Sequence, residues 1–304
     1  MRLPLGQLNA IVGTLFLLAL AYVTSACAPR QVAVQCSVEA AGAAPIYIAA
    51  GRVARTIAHE PEEQWRAEGA VAAFEIDAHE VTNEQFAAFV AATGYRTIAE
   101  RPGADGRPLG AAVFDRTTGA WRVDAAANWR HPEGARSSIV GRERHPVVSV
   151  AFQDAEAYAQ WAGRRLPSEL EWERAARGDG PAPTQTTAEA FNARGEPVAN
   201  TWQGVFPIDD SGEDGFRGSA PVGCFPPNAN GLYDMIGNVW EWTSDLYDAP
   251  NTAPDAAANA RVLKGGSHLC ARNFCSRFRS GSRQPGDPGL GMSHVGFRTA
   301  VSRP

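Results

Sequence analysis

Two thiols five residues apart carry the most specific chemistry in this chain. They stand in the segment Gly265-Gly266-Ser267-His268-Leu269-Cys270-Ala271-Arg272-Asn273-Phe274-Cys275. On a helix the two side chains point about 140° apart, and on a single strand they project from opposite faces. A joint role for the sulfurs therefore requires an irregular loop, which Gly265-Gly266 can introduce because glycine adopts backbone conformations closed to other residues. From spacing alone three readings stand: a structural disulfide, a redox or metal dithiolate, and two unrelated thiols. As a metal pair, two thiolates without histidine suit a soft, low-coordinate ion such as Cu(I) better than a tetrahedral structural zinc. Elsewhere the chemistry is thinner. The stretch from Asp209 to Gly215 resembles the opening of an EF-hand loop, but Ala220 stands where the closing Glu belongs. His59, His79, His131, His145, His268 and His294 show no spacing of a two-histidine, one-carboxylate set.

The elements that must position these residues are short. Ile46-Tyr47-Ile48 and Phe74-Glu75-Ile76-Asp77 alternate as strands, and 147–150 reads as another. Residues 81–90 place Val81, Phe86, Phe89 and Val90 at helical spacing behind the cap Thr82. The segment DAEAYAQWAG at 154–163 predicts a helix with Tyr158 and Trp161 on one face, ended by Gly163. SELEWERAARG at 168–178 predicts the next, with Ser168 and Glu171 forming a capping box. Gly, Pro and Arg without periodicity make 101–144 a loop, and beyond 178 only turn signals recur. With 30 Gly and 21 Pro in 304 residues, one irregular, loop-rich α+β domain is the simplest account.

Composition narrows the partners. The net charge of −5 and the lack of a Lys/Arg-rich stripe exclude a phosphate-driven nucleic-acid binder. Arg2 precedes an uncharged apolar run, AIVGTLFLLALAYV at 10–23, which has the length of a signal-peptide core and is short for a membrane span. Ala26-Cys27-Ala28 reads as a cleavage site, and Ser25-Ala26-Cys27 as a lipoprotein signal that acylates Cys27. The organisation expected is a signal peptide at 1–28, a small-residue tether at 29–45 and one domain at 46–304. Its product is periplasmic, secreted or lipid-anchored, and any membrane contact runs through that anchor. Cys36, Cys224, Cys270 and Cys275 then meet an oxidising compartment with every pairing open.

The chain resembles the formylglycine-generating enzymes, the sulfatase-modifying factor family. The likeness is carried by ANWRHPEG at 127–134, HPV at 145–147, WAGRRLPSE at 161–169, ANTWQG at 199–204, GEDGF at 212–216, GNVWEWTSD at 237–245, the Cys270/Cys275 segment and VGFR at 295–298. These motifs run in family order, and several mark a wider superfamily with members that lack the activity. The resemblance implies a low-regularity fold related to C-type lectin-like folds. It implies a monomeric copper oxidase that uses O₂ to convert a cysteine in the CxPxR segment of an unfolded sulfatase to Cα-formylglycine. Cu(+) would sit on Cys270 and Cys275, with Ser267 near the oxygen position and Trp240 walling the pocket. One Ca(2+) would take Asn200, Thr201, Asp214 and Phe216, and a second would take Asp234, Gly237, Val239 and Glu241, with Asp234 replacing a family Asn. Two disulfides of the animal members fall here on Ala159 with Thr299 and on Ala176 with Ser280. His294 replaces a family Asn at a substrate-contact position, Phe274 replaces the family Tyr before the second cysteine, and Cys224 has no family role. The alternative from another class is a non-catalytic member acting as an exported binding lipoprotein.

Overall fold

A computed structural model describes residue 36 and residues 43–53, 68–178, 189–248 and 259–303. The signal peptide, its cleavage or acylation site and most of the tether lie outside the described residues. The strands β1 (Ile46–Ile48), β2 (Gly51–Val53), β3 (Gly69–Val71) and β4 (Phe74–Ile76) are three residues each. Phe74 and Ile76 are fully buried and Glu75 between them is not, the alternation of a sheet with one face on the core. Helix α1 (Asn83–Thr93) begins behind Thr82, whose Oγ1 accepts from the Gln85 amide while Gln85 Oε1 accepts from the Thr82 amide. Gly94, at φ 68, ends it.

Two expectations fail here. Residues 101–144 are not all loop, because β5 (Ala111–Asp115) and β6 (Ala120–Asp124) pair over five registers as a hairpin. The hairpin buries β5 and leaves β6 largely exposed, so neither strand shows the alternating burial that sequence periodicity detects. The segment 147–150 forms no strand. Val147 and Val150 are buried as the apolar run implies, but Ser149 turns the chain at φ 58.

Helix α2 (Phe152–Trp161) starts two residues before the expected 154 and buries Tyr158, while Trp161 stays 45% exposed. Helix α3 (Glu169–Arg177) carries the expected box, with Ser168 and Glu171 exchanging bonds of 2.8 and 3.1 Å.

Beyond α3 the chain is more ordered than its turn signals imply. It contains β7 (Gly204–Val205), β8 (Asp209–Asp210), β9 (Trp240–Leu246), β10 (Arg261–Lys264), β11 (Arg283–Gly286), β12 (Val295–Gly296) and β13 (Ala300–Ser302). One sheet has the order β11-β10-β9-β12, with β12 parallel to β9. A second, β1-β4-β13, joins the two ends of the described domain. The seven-residue β9 buries Trp240 and Trp242 against the aromatic core around Phe86, Tyr158 and Phe297. Where the resemblance put one animal-type disulfide, Thr299 instead bonds Asp77 through both its amide and its hydroxyl. Cys36, in the stretch read as a tether, is disulfide-bonded to Cys224.

Candidate active site

Strand β10 ends at Lys264, and the next two residues let two stretches of chain touch. Gly265 and Gly266 have φ of 95 and 83, and a Cβ on Gly266 would lie 2.6 Å from the Arg277 carbonyl oxygen. Only a residue without a side chain fits there. Ala271 and Phe274 then exchange backbone bonds of 2.9 and 3.1 Å, leaving Arg272 and Asn273 as a two-residue turn. That turn makes Cys270 and Cys275 facing neighbours across a tight reversal, with Sγ to Sγ at 3.3 Å and no disulfide. The loop is irregular as expected, but the sulfurs meet through this turn and not through the glycines. Cys275 is held in the left-handed region at φ 52, which turns its side chain toward its partner.

The two thiols are electrostatically unlike. Burial and the neighbouring Cys275 push the Cys270 thiol well up, against a smaller opposing effect of the Ser267 backbone and side chain. The hydrogen bond from Cys270 and the Arg277 guanidinium, 3.7 Å from its sulfur, bring Cys275 down to about 7. Cys275 is thus the more easily ionised thiol of the pair. Both open onto a groove of about 470 Å³ that also has Trp240, Ser267, Trp121, Phe274, Arg277 and His294 in its walls. Ser267 is fully buried, and its Oγ accepts from the Leu269 amide at 3.2 Å. Phe274 is 54% exposed and stacks on Phe206 with centroids 4.5 Å apart. Burial and His268 push His294 down to about 3, so it faces the groove as a neutral ring.

Among the described residues no three His, Cys, Asp or Glu side chains converge on a metal-sized point. A two-sulfur site with no further side-chain ligand fits the low-coordinate Cu(I) expected from the resemblance and does not fit a structural zinc. For calcium, Asp214 is the informative residue. It is 1% exposed, its oxygens accept from the Thr201 and Phe216 amides at 3.0 Å, and Asn200 lies next to Thr201 in the chain. Burial, with Asp210 adding, pushes Asp214 up to about 7, so the carboxylate lacks positive charge and fits a hard cation.

In the second expected set both carboxyl side chains already have partners in the protein. Both oxygens of Glu241 are taken by Arg298, at 2.7 Å each, and one also by the Trp172 ring N–H. Asp234 Oδ2 accepts from the Gly223 amide, and burial pushes this carboxyl up to about 6. Gly237 and Val239 belong to the same loop, where Gly237 at φ 79 passes so close that a Cβ would meet the Asn200 oxygen at 2.3 Å. The residue that sequence reading missed is Glu80. It is fully buried, its Oε2 has no partner, and burial with Asp234 and Glu241 raises its pKa well above the usual range. Glu80, Asp234 and Glu241 are three buried carboxyl groups around the single guanidinium of Arg298, an excess of acid that a divalent ion bound mainly by carbonyls and water would relieve. No local pattern marks Glu80, whose neighbours arrive from 234–241.

Asn238 ties these loops to the thiols. Its side chain accepts from Asn200 Nδ2 and donates to Glu80 Oε1, and its carbonyl accepts from both the His268 amide and ring Nδ1 at 2.9 Å. His268 is next to Ser267 and two residues before Cys270, so the acidic loops set the position of the thiol loop.

Residues 32–303 match the family described as sulfatase-modifying factor enzyme 1-like domain. The formylglycine-generating enzyme of Mycobacterium tuberculosis is 47% identical over 261 residues, covering 75% of this chain and 87% of that one. A cattle protein named inactive C-alpha-formylglycine-generating enzyme 2 is 38% identical over 239 residues, covering 75% and 76%. Among solved structures, PvdO from Pseudomonas aeruginosa aligns with a TM-score of 0.58 at 26% identity, over 85% of this chain and 94% of that one. The chain belongs to the sulfatase-modifying factor family, the formylglycine-generating enzymes and their relatives.

Proposed function

We propose that the chain oxidises a cysteine in the CxPxR segment of an unfolded sulfatase to Cα-formylglycine, with O₂ as co-substrate and Cu(I) held by Cys270 and Cys275. The observation that carries this reading is that these two thiols lie 3.3 Å apart on a groove without a disulfide between them, in a chain that bonds Cys36 to Cys224. A protein that only bound a partner would gain nothing from holding two thiols face to face on its groove. Copper, when bound, supplies a soft centre that accepts the substrate thiolate and activates O₂.

The chain's own residues do the rest. The hydrogen bond from Cys270 and the Arg277 guanidinium lower Cys275, so this sulfur meets a soft cation at little proton cost, whereas the buried Cys270 gives up its proton only on binding one. Trp240, 1% exposed, closes the inner wall against water, and the neutral His294 opposite Trp121 adds no charge that would repel Arg or attract solvent. Ser267 Oγ has one lone pair engaged by the Leu269 amide, so its O–H is left to donate beside Cys270. An extended substrate lies in the groove with its cysteine at the two sulfurs, which turns a bimolecular encounter into a positioned one.

Calcium at Asp214 and at Glu80/Asp234 would relieve the buried negative charge and brace Asn238. The protein acts as a monomer, exported as a periplasmic, secreted or lipid-anchored product. The Cys36–Cys224 disulfide supports export, because such bonds persist in oxidising compartments. The test is incubation of the copper-loaded protein with a CTPSR-type peptide, followed by aldehyde labelling and mass measurement. Product formation supports the reading. Absence of product with Cu(I) bound supports the non-catalytic alternative that the inactive relative represents.

A further inference from the structure

A second cavity, of about 560 Å³, lies beside the thiol groove, and its wall holds five guanidinium groups against two carboxylates, Asp115 and Glu133. Arg116 and Arg122 come from the β5–β6 hairpin, Arg136 and Arg142 from the loop before α2, and Arg217 from the loop after β8. Three are in ion pairs: Arg116 with Asp210, Arg122 with Asp124 and Arg142 with Glu133, at 2.9, 2.5 and 3.3 Å. Those arginine side chains are 35 to 48% exposed, and single-contact pairs of that kind hold weakly and re-aim easily. Arg136 and Arg217 have no ion pair among the described residues. The interior registers the surplus: Arg142 helps push His145 down to about 4, and Arg116 and Arg142 do the same to His268, with burial the largest cause at both. Guanidinium is the cation best shaped to grip carboxylates in pairs.

The wall between this cavity and the thiol groove is one residue thick. Leu269 lines both. Phe114 and Trp121 are cross-strand partners with rings 5.5 Å apart, the first on the arginine side and the second on the thiol side. Ser293 and His294 divide in the same way. An extended polypeptide advances about 3.3 Å per residue, so a few residues beyond the oxidised cysteine carry it from one cavity to the other.

We propose that the arginine-lined cavity is a second substrate subsite, which takes acidic side chains of the polypeptide flanking the cysteine. The inference rests on the substrate reading above. Anchoring there adds affinity without touching the reacting atoms, so it raises binding of the unfolded chain and leaves the chemical step alone. Rim charges of this kind also raise the association rate and make it salt-dependent.

The test uses three peptides with one CTPSR-type core: neutral flanks, three Glu before the core, and three Glu after it. Binding is read by fluorescence anisotropy on the full chain, which needs no turnover and so stays informative if the oxidase reading fails. One Glu-flanked peptide is expected to bind about tenfold tighter than the neutral one at low salt, from two or three guanidinium contacts. Raising salt is expected to erase the difference. The double variant R136Q/R217Q removes the two arginines without an ion pair, both exposed. It is expected to abolish the advantage and to leave neutral-peptide binding and turnover unchanged. Equal binding of all three peptides, or an advantage that survives the double variant, overturns the proposal. So does saturable binding of inorganic phosphate with no preference among the peptides, which would mark a free-oxyanion site.

Discussion

Alanine at Gly266 places one methyl group where two stretches of backbone already touch. Its Cβ would lie 2.6 Å from the Arg277 oxygen, 2.9 Å from Phe278 Cα and 3.1 Å from the Arg277 carbonyl carbon. Ordinary contact begins near 3.4 Å, so the 277–278 stretch must retreat by about 0.8 Å. The left-handed backbone at φ +83 costs a non-glycine residue about 1–2 kcal/mol, and overpacking about 1–3 kcal/mol more. At 2–4 °C per kcal/mol for a domain of this size, the melting temperature falls by roughly 10 °C. Arg277 moves with the retreat and Cys275 is two residues away, so the thiols lose alignment. A displacement near 1 Å costs about a hundredfold in rate. Gly163→Ala is the control, because Gly163 has φ +69 and nothing within 4 Å of its added Cβ. Calorimetry and peptide oxidation on both variants separate backbone strain from the steric term. Equal melting losses with full activity in Gly266→Ala would refute the claim that close packing under the loop sets the thiol geometry.

Other consequences are equally direct. Calcium is expected to raise the melting temperature more at pH 8 than at pH 5. Asp214 and Asp234 are raised to about 7 and 6, so without a cation their stabilising, protonated forms are complete only below about pH 4 and vanish as pH climbs through those values. A pH-independent calcium increment in thermal melts would contradict this. His294 titrates the other way. Its pKa is depressed to about 3, so the stability it contributes is full above about pH 6.5 and is lost as pH falls toward 3. In calcium-saturated protein His294→Asn should flatten the acid limb of a stability–pH curve by at most about 1.4 kcal/mol per pH unit, and an unchanged limb would count against a buried neutral ring. Cys36→Ser with Cys224→Ser opens a bond spanning 188 residues and should cost about 2–5 kcal/mol in denaturant unfolding. Activity at low temperature should persist; its loss would tie that disulfide to the chemistry.

The local features of this fold were legible because their causes are local. Thr82 with Gln85 and Ser168 with Glu171 satisfy helix-end amides within three residues, so spacing alone locates α1 and α3. Strand β9 gains its partners from β10 and from β12, more than fifty residues from its start, and no window of sequence contains that information. The 147–150 run misleads for a related reason: burial of Val147 and Val150 is real, yet a strand also needs a neighbour to bond. At the site, the cysteine pair was visible as a pair, but a single helix or strand is the wrong frame for two residues that flank a turn. Arg272-Asn273 carries no glycine to announce it. Glu80 and the five arginines were invisible as groups, since each set is assembled only when distant loops meet.

The measurement closest to the central claim is Cu(I) titration and peptide turnover on Cys270→Ser and Cys275→Ser separately. Because each sulfur has one partner at 3.3 Å and no third ligand among the described residues, either change is expected to abolish both tight copper binding and aldehyde formation, with melting temperatures near that of the parent. A well-folded variant that still turned over at the parental rate would contradict the account.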